Sequence, residues 1–150
     1  MVIIQTSSWG ELEIAEGQIY RFPKGIPGFE EETEFALITF ADSPFDYLQS
    51  TKEKELTFLL GDPFAYYPEY EFELPTADKE ELQITQNVLV RSIISLKAKV
   101  EESTMNLLAP VILNPDQRLG KQVVIHSSKY QTRHPLWKES GISSSTKAGE

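Results

Sequence analysis

The pattern that most constrains this chain is an alternation of apolar and polar side chains at a period of two. It is complete in Tyr70-Glu71-Phe72-Glu73-Leu74, where the apolar residues take one side and the glutamates the other. Leu12 and Ile14 alternate with Glu11 and Glu13 in the same way. Successive side chains of a strand leave on opposite faces, so these segments read as half-buried strands of an antiparallel sheet. Residues 18–22 and 35–40 add two more, the second apolar enough to lie centrally. Residues 2–4, 57–60, 87–94, 107–113 and 121–126 are further apolar or β-branched runs. The count of about nine strands predicts an all-β, mainly antiparallel fold, a barrel or a sandwich.

Breakers fall where such a fold needs them. Glu16-Gly17 signals a hairpin turn, and Pro23-Lys24-Gly25-Ile26-Pro27-Gly28 is a rigid loop of alternating proline and glycine. Asp62-Pro63 ends the strand before it, and Asn114-Pro115-Asp116 makes another turn. Pro110 cannot donate to a ladder, so its strand is at an edge, bulged or broken there. Only two segments carry helix signals, and both are short. Residues 43–49 offer a serine cap, proline at the first helical position and an acid in the first turn; residues 76–82 offer a capping threonine or aspartate.

A length of 150 residues favours one domain, and 40% hydrophobic residues suffice for a core. The domain is expected over residues 1–137, followed by a polar, serine-rich tail over 138–150 expected to be disordered. No apolar run reaches the roughly 18–20 residues of a membrane span, and the N-terminus lacks the basic region of a signal peptide. The absence of cysteine excludes disulfide scaffolds, thiolate zinc sites and cysteine nucleophiles, and fits the cytoplasm.

Net charge is −9, and it is uneven. Residues 1–85 carry 18 acidic and 5 basic side chains, whereas residues 86–150 carry 5 acidic and 9 basic. Such acidity disfavours the phosphate backbone of nucleic acid as a direct ligand. The asymmetry fits either the solvated faces of strands and loops or an acidic face for a basic partner.

Catalytic patterns are weak. His126 and His134 are not spaced as a helical metal pair, and structural or solvent-facing roles suit them better. Ser127 or Ser128 with a histidine and Asp116 would make a triad only in outline, because no nucleophile-elbow pattern surrounds any serine. The run Glu30-Glu31-Glu32 with Glu34 reads as a solvated loop. No phosphate-binding loop, dinucleotide fingerprint or calcium-loop spacing is present. The chain offers no strong catalytic, metal or cofactor signal. What stands out is apolar material near turns: Ile26 and Phe29, Phe45 with Tyr47 and Leu48, and Tyr66 with Tyr67. Such residues either plug barrel ends or form a protein-binding patch.

The wording of several segments is more specific. Phe22-Pro23-Lys24-Gly25-Ile26-Pro27-Gly28-Phe29-Glu30 resembles the signature loop of the flagellar assembly factor family, FliW. Matches in the family's order follow at residues 45–50, Asp62-Pro63, residues 70–74, Leu82-Gln83-Ile84 and residues 104–114. The last are Gln122-Val123-Val124, Tyr130 and Arg133-His134-Pro135-Leu136. The resemblance spans roughly residues 1–137. The Gly-Ile-Pro-Gly-Phe-Glu loop and Thr104-Met105-Asn106-Leu107-Leu108-Ala109-Pro110 are its most specific motifs. Leu113 stands where the family more often has isoleucine, and the tail matches nothing.

The resemblance implies a small, partly open β-barrel with one or two short helices, acting as a cytoplasmic, non-enzymatic regulator. It implies two protein partners, flagellin and the RNA-binding translational regulator CsrA, with no direct nucleic acid and no membrane; a monomer is the simplest state. Free assembly factor would capture CsrA and relieve repression of flagellin translation; accumulating flagellin would reclaim the factor. The acidic half suits a basic, RNA-binding partner, with Glu30, Glu31, Glu32 and Glu34 as first candidates and Glu71 and Glu73 as second. Amphipathic flagellin termini need an apolar groove, with Phe29, Phe45, Leu48, Tyr66 and Tyr67 as candidate anchors. A ligand-binding or metal-dependent hydrolytic β-barrel, using His126 or His134 with carboxylates around a cavity, is the alternative.

Overall fold

In the computed structural model, which describes residues 1–126 and 129–136, most of the alternating and apolar segments become paired strands. A hairpin of β1 (Val2–Thr6) and β2 (Gly10–Ile14) stands apart as its own two-stranded sheet. The barrel is built from β3 (Ile19–Arg21), β4 (Glu34–Thr39), β5 (Asp46–Ser50), β6 (Thr57–Gly61), β7 (Leu89–Ser95), β9 (Val111–Asn114) and β10 (Leu119–Gln122). The ring closes through β7 with β9 and through β3 with β10. The β3–β10 seam is parallel and rests on one residue pair, Leu119 with Arg21, so closure is thinnest there. Two short strands, β8 (Thr104–Met105) and β11 (His134–Pro135), extend the sheet from β7.

The barrel is filled by side chains from β3, β4, β5, β6 and β9, namely Tyr20, Phe35, Leu48, Leu60, Val111 and Leu113, with Phe22 and Ile26 entering from the loop after β3 and Leu89 and Ile93 of β7 packing against them. Several strands are buried on both faces, which accounts for their nearly continuous apolar runs. On β4, Phe35 points inward, while Ala36 and Ile38 point outward beneath the β1–β2 hairpin. On β9, Val111 and Leu113 point inward, while Ile112 packs outside with Leu82, Leu119 and Val123. A third outer cluster joins Tyr70, Ile94, Met105, Leu107, Ile125 and Leu136.

The all-β barrel expectation holds, and four local expectations do not. Residues 43–49, expected as a helix, form a turn and the start of β5. Ser43 still caps, its hydroxyl accepting from the Phe45 N–H at 3.1 Å, but it caps a turn. Pairing with both β4 and β6 outweighs the cap signal, because Leu48 then fills the barrel and Tyr47 reaches the hairpin cluster. Glu16-Gly17 does not join a hairpin: a 3-10 turn over Glu16–Gln18 separates β2 and β3, which pair with other strands. Residues 70–74 keep the expected alternation of burial yet join no ladder. The strand expected over 121–126 begins earlier, at Leu119, and its last residues continue beyond β10 only as two backbone bonds to Leu108 and Pro110. Pro110 breaks its run between β8 and β9, in keeping with its missing N–H.

Among the described residues there are two short α-helices, α1 (Pro63–Tyr66) and α2 (Thr76–Glu81). Asp62-Pro63 therefore starts a helical turn as well as ending β6, with the Asp62 carboxylate accepting from the Phe64 N–H at 3.0 Å. The serine-rich tail lies outside the described residues.

Candidate functional site

The loop between β3 and β4 is shaped by glycine. Gly25 and Gly28 hold φ of 66° and 92°, a region that L side chains rarely adopt. A side chain on Gly25 would also meet the Glu30 backbone at 2.6 Å. The chain doubles back here, with the Phe29 N–H donating to the Ile26 carbonyl. Ile26 is thereby turned into the barrel, 2% exposed, and Phe29 is left 43% exposed. The Phe29 ring stands edge-on to Phe58, centroids 5.6 Å apart.

The glutamate run divides into two roles. Glu30 and Glu31 are exposed. The Gly28 N–H donates to the Glu30 carboxylate at 3.1 Å and holds it below its ordinary value. Glu32 accepts from the Ser50 hydroxyl at 3.1 Å, and Glu34 accepts from the Thr51 hydroxyl at 2.7 Å. These two carboxylates tie the loop to the end of β5, so only Glu30 and Glu31 are fully presented to solvent.

The five apolar candidates do not form one groove. Leu48 is 0% exposed inside the barrel and presents nothing to a partner, because β5 is a strand whose alternate residues point inward. Phe29 lies at the loop described above. Phe45, Tyr66 and Tyr67 come together around the Tyr70 cluster and are half-buried there. Burial pushes the Tyr66 and Tyr67 hydroxyls above their ordinary values. The Tyr67 hydroxyl donates to the Pro135 carbonyl, and its ring packs edge-on to His134 at 5.5 Å. Tyr70 donates to the buried Leu107 carbonyl at 2.8 Å and packs on Tyr130 at 4.7 Å. This aromatic group fastens β8 and β11 to the barrel wall.

A surface not expected from the sequence lies beside it. A pocket of about 290 Å³ is lined by Phe64, Tyr70, Glu71, Phe72, Leu74, Val88, Val90 and Ile112. Phe64 and Val88 are each 42% exposed on its rim. The capping signal Asp62-Pro63 could have revealed it, since a helical turn there lifts Phe64 toward solvent.

His134 accepts at Nε2 from the Gln131 N–H at 2.8 Å, and His126 lines a groove of about 700 Å³ together with Glu71, Glu73 and Lys79. Asp116 accepts from the Asn87 amide at 3.2 Å. Ser127 and Ser128 lie outside the described residues. Among the described residues no group of three or more histidine or carboxylate side chains is placed to hold a metal ion. No described helix is long and apolar enough to cross a membrane.

The geometry defines a small β-barrel protein whose most distinctive exposed features are an apolar pocket and an acidic loop. A family model described as FliW protein matches residues 3–136. The flagellar assembly factor FliW of Geobacillus kaustophilus is 44% identical over 138 residues, 91% of this chain and 96% of the relative. That of Bacillus subtilis is 43% identical over 142 residues, 93% of this chain and 99% of the relative. A solved structure described as the flagellar assembly factor FliW superposes with a TM-score of 0.85 at 42% identity, covering 91% of this chain and 98% of the other. The chain belongs to the FliW family of flagellar assembly factors.

Proposed function

We propose that this chain is a cytoplasmic, non-enzymatic, monomeric regulator that binds flagellin and, when free of it, binds and antagonises CsrA. Flagellin translation is thereby coupled to export: depletion of flagellin frees the factor, and the freed factor lifts CsrA from its message. The observation that carries this reading is the match to flagellar assembly factors along almost the whole chain.

Within it, the two exposed features anchor two different partners, each of which covers enough of the small barrel to exclude the other. A helix-prone flagellin terminus needs apolar contacts, which the pocket rimmed by Phe64 and Val88 offers. CsrA must present lysine and arginine to RNA, so it is steered by the exposed carboxylates of Glu30 and Glu31 beside Phe29. Affinity capture from cells, with bound proteins identified, tests this assignment. Phe64→Ala with Val88→Ser should deplete flagellin and spare CsrA, while Glu30→Lys with Glu31→Lys should do the reverse. Retention of both partners by both double variants would refute it.

A further inference from the structure

The apolar pocket beside α1 is built for a side chain rather than a cofactor. Its volume is about 290 Å³, at the lower end of the roughly 300–1,000 Å³ of ligand sites. Three rings in succession, Phe64, Tyr70 and Phe72, stand 5.6 and 5.5 Å apart along it. Ile112, 0% exposed, lies at its base, and Val88 shares the rim with Phe64. Hydrogen bonds within the chain set these walls. The Tyr70 hydroxyl donates to the Leu107 carbonyl at 2.8 Å, and the Asp62 cap holds the turn that carries Phe64. A pocket already formed in the free chain costs little ordering when it is filled.

Charge at the rim has one sign. Glu71 is the single charged side chain in the lining among the described residues. It is exposed, and its carboxylate has no hydrogen-bond or ion-pair partner there. Only its main-chain N–H is engaged, donating to the Tyr130 hydroxyl at 3.2 Å. Lys121 stands opposite Ile112 on β10, but Asp78 and Glu81 hold it and it is absent from the lining. Next to Val88, Asn87 binds a second carboxylate, Asp116, at 3.2 Å. An occupant with acidic neighbours would therefore be repelled at the rim. Lysine and arginine suit it, because their stems lie along apolar surface while their heads reach a carboxylate.

We propose that this pocket takes a bulky apolar side chain flanked by lysine or arginine, with Glu71 as the specificity-determining residue. The proposal rests on the reading of the pocket as the flagellin docking site and adds what the docked segment must carry. The apolar lining supplies the hold, and Glu71 supplies the choice among apolar segments.

The test is methyl NMR of the full chain with three capped pentapeptides: phenylalanine flanked by two lysines on each side, the same with glutamates, and the lysine peptide with alanine at its centre. The lysine–phenylalanine peptide should shift the methyl signals of Val88, Val90 and Ile112 saturably, and each of the other two should bind at least tenfold more weakly. Glu71→Gln should weaken the lysine–phenylalanine peptide at least threefold and Glu71→Lys at least tenfold; both change an exposed, unbonded carboxylate and leave the fold intact. Glu73→Gln removes the same charge two residues away, outside the lining, and should weaken it less than twofold. No saturable shift, equal binding of the glutamate or alanine peptide, undiminished binding by Glu71→Gln, or an equal loss with Glu73→Gln would each overturn the proposal. Because the probes are peptides, these results are separate from the capture of flagellin by the Phe64→Ala, Val88→Ser variant, which decides the docking reading itself.

Discussion

Gly120 and Tyr70 show how much of this barrel depends on single atoms. A Cβ on Gly120 would lie 2.4 Å from the Phe22 ring, itself fully buried among Phe35 and Leu113. Gly120→Ala is expected to destabilise by about 1–3 kcal/mol through overpacking, read as a lower urea midpoint at unchanged slope. Tyr70→Phe keeps the ring and removes the donor to the Leu107 carbonyl, leaving a buried acceptor unpaired. A loss of about 1–3 kcal/mol is expected in the same assay, and no loss would mean that water replaces the hydroxyl. Neither residue was legible as critical in the sequence, because both act through partners distant along the chain. Gly25 and Gly28 were legible, since a loop alternating proline and glycine announces positive φ. Which of Ile26 and Phe29 would turn inward was not.

The elements were readable where the apolar pattern stood alone and ambiguous where a local signal competed with it. The hairpin strands β1 and β2 and the central β4 followed their patterns, whereas residues 43–49 carried a helix cap in front of a strand. Only pairing with β4 and β6 decides between the two, and pairing is not written in local propensity. Residues 70–74 err in the other direction: a full alternation came from packing Tyr70, Phe72 and Leu74 against the barrel without any ladder. At α2 the sequence showed a short helix and not its tether. Six residues cannot hold a helix alone, and the Lys121 ammonium on β10 reaches Asp78 and Glu81. The Glu81 carboxyl is held below 4.5, foremost by the hydrogen bond from Lys121 and then by that from Lys24. Its contribution is full above 4.5 and is lost as pH falls through the lower folded value. Burial lowers Lys121, but its bonds to Asp78 and Glu81 raise it above 10.5 on balance. That contribution is full below 10.5 and is lost as pH rises through the folded value. Lys121→Met should therefore flatten the decline in melting temperature below pH 4.5, and an unchanged acid limb would show that the tether contributes nothing.

Across the whole molecule, the charge imbalance and the barrel were both visible before the structure, and the arrangement of the surface was not. The acidic half contributes the Glu30 loop as well as the Glu71–Glu73 rim, so its negative charge is divided between separate places. The glutamate run lost two members to hydrogen bonds with Ser50 and Thr51, contacts made only when β4 and β5 pair. The apolar candidates divided similarly, with Leu48 in the core and Phe45 and Tyr67 bracing the outer cluster. Phe45→Ala should cost about 1–2 kcal/mol of stability, read by urea unfolding, while flagellin affinity changes little in the protein that remains folded. The central claim is that one small barrel exchanges flagellin for CsrA. Titrating flagellin into the preformed complex of this chain with CsrA, and following free CsrA by sedimentation velocity, tests it most directly. Stoichiometric release of CsrA is predicted; CsrA that stays bound beside flagellin, or that never formed a complex with the chain, would contradict the account.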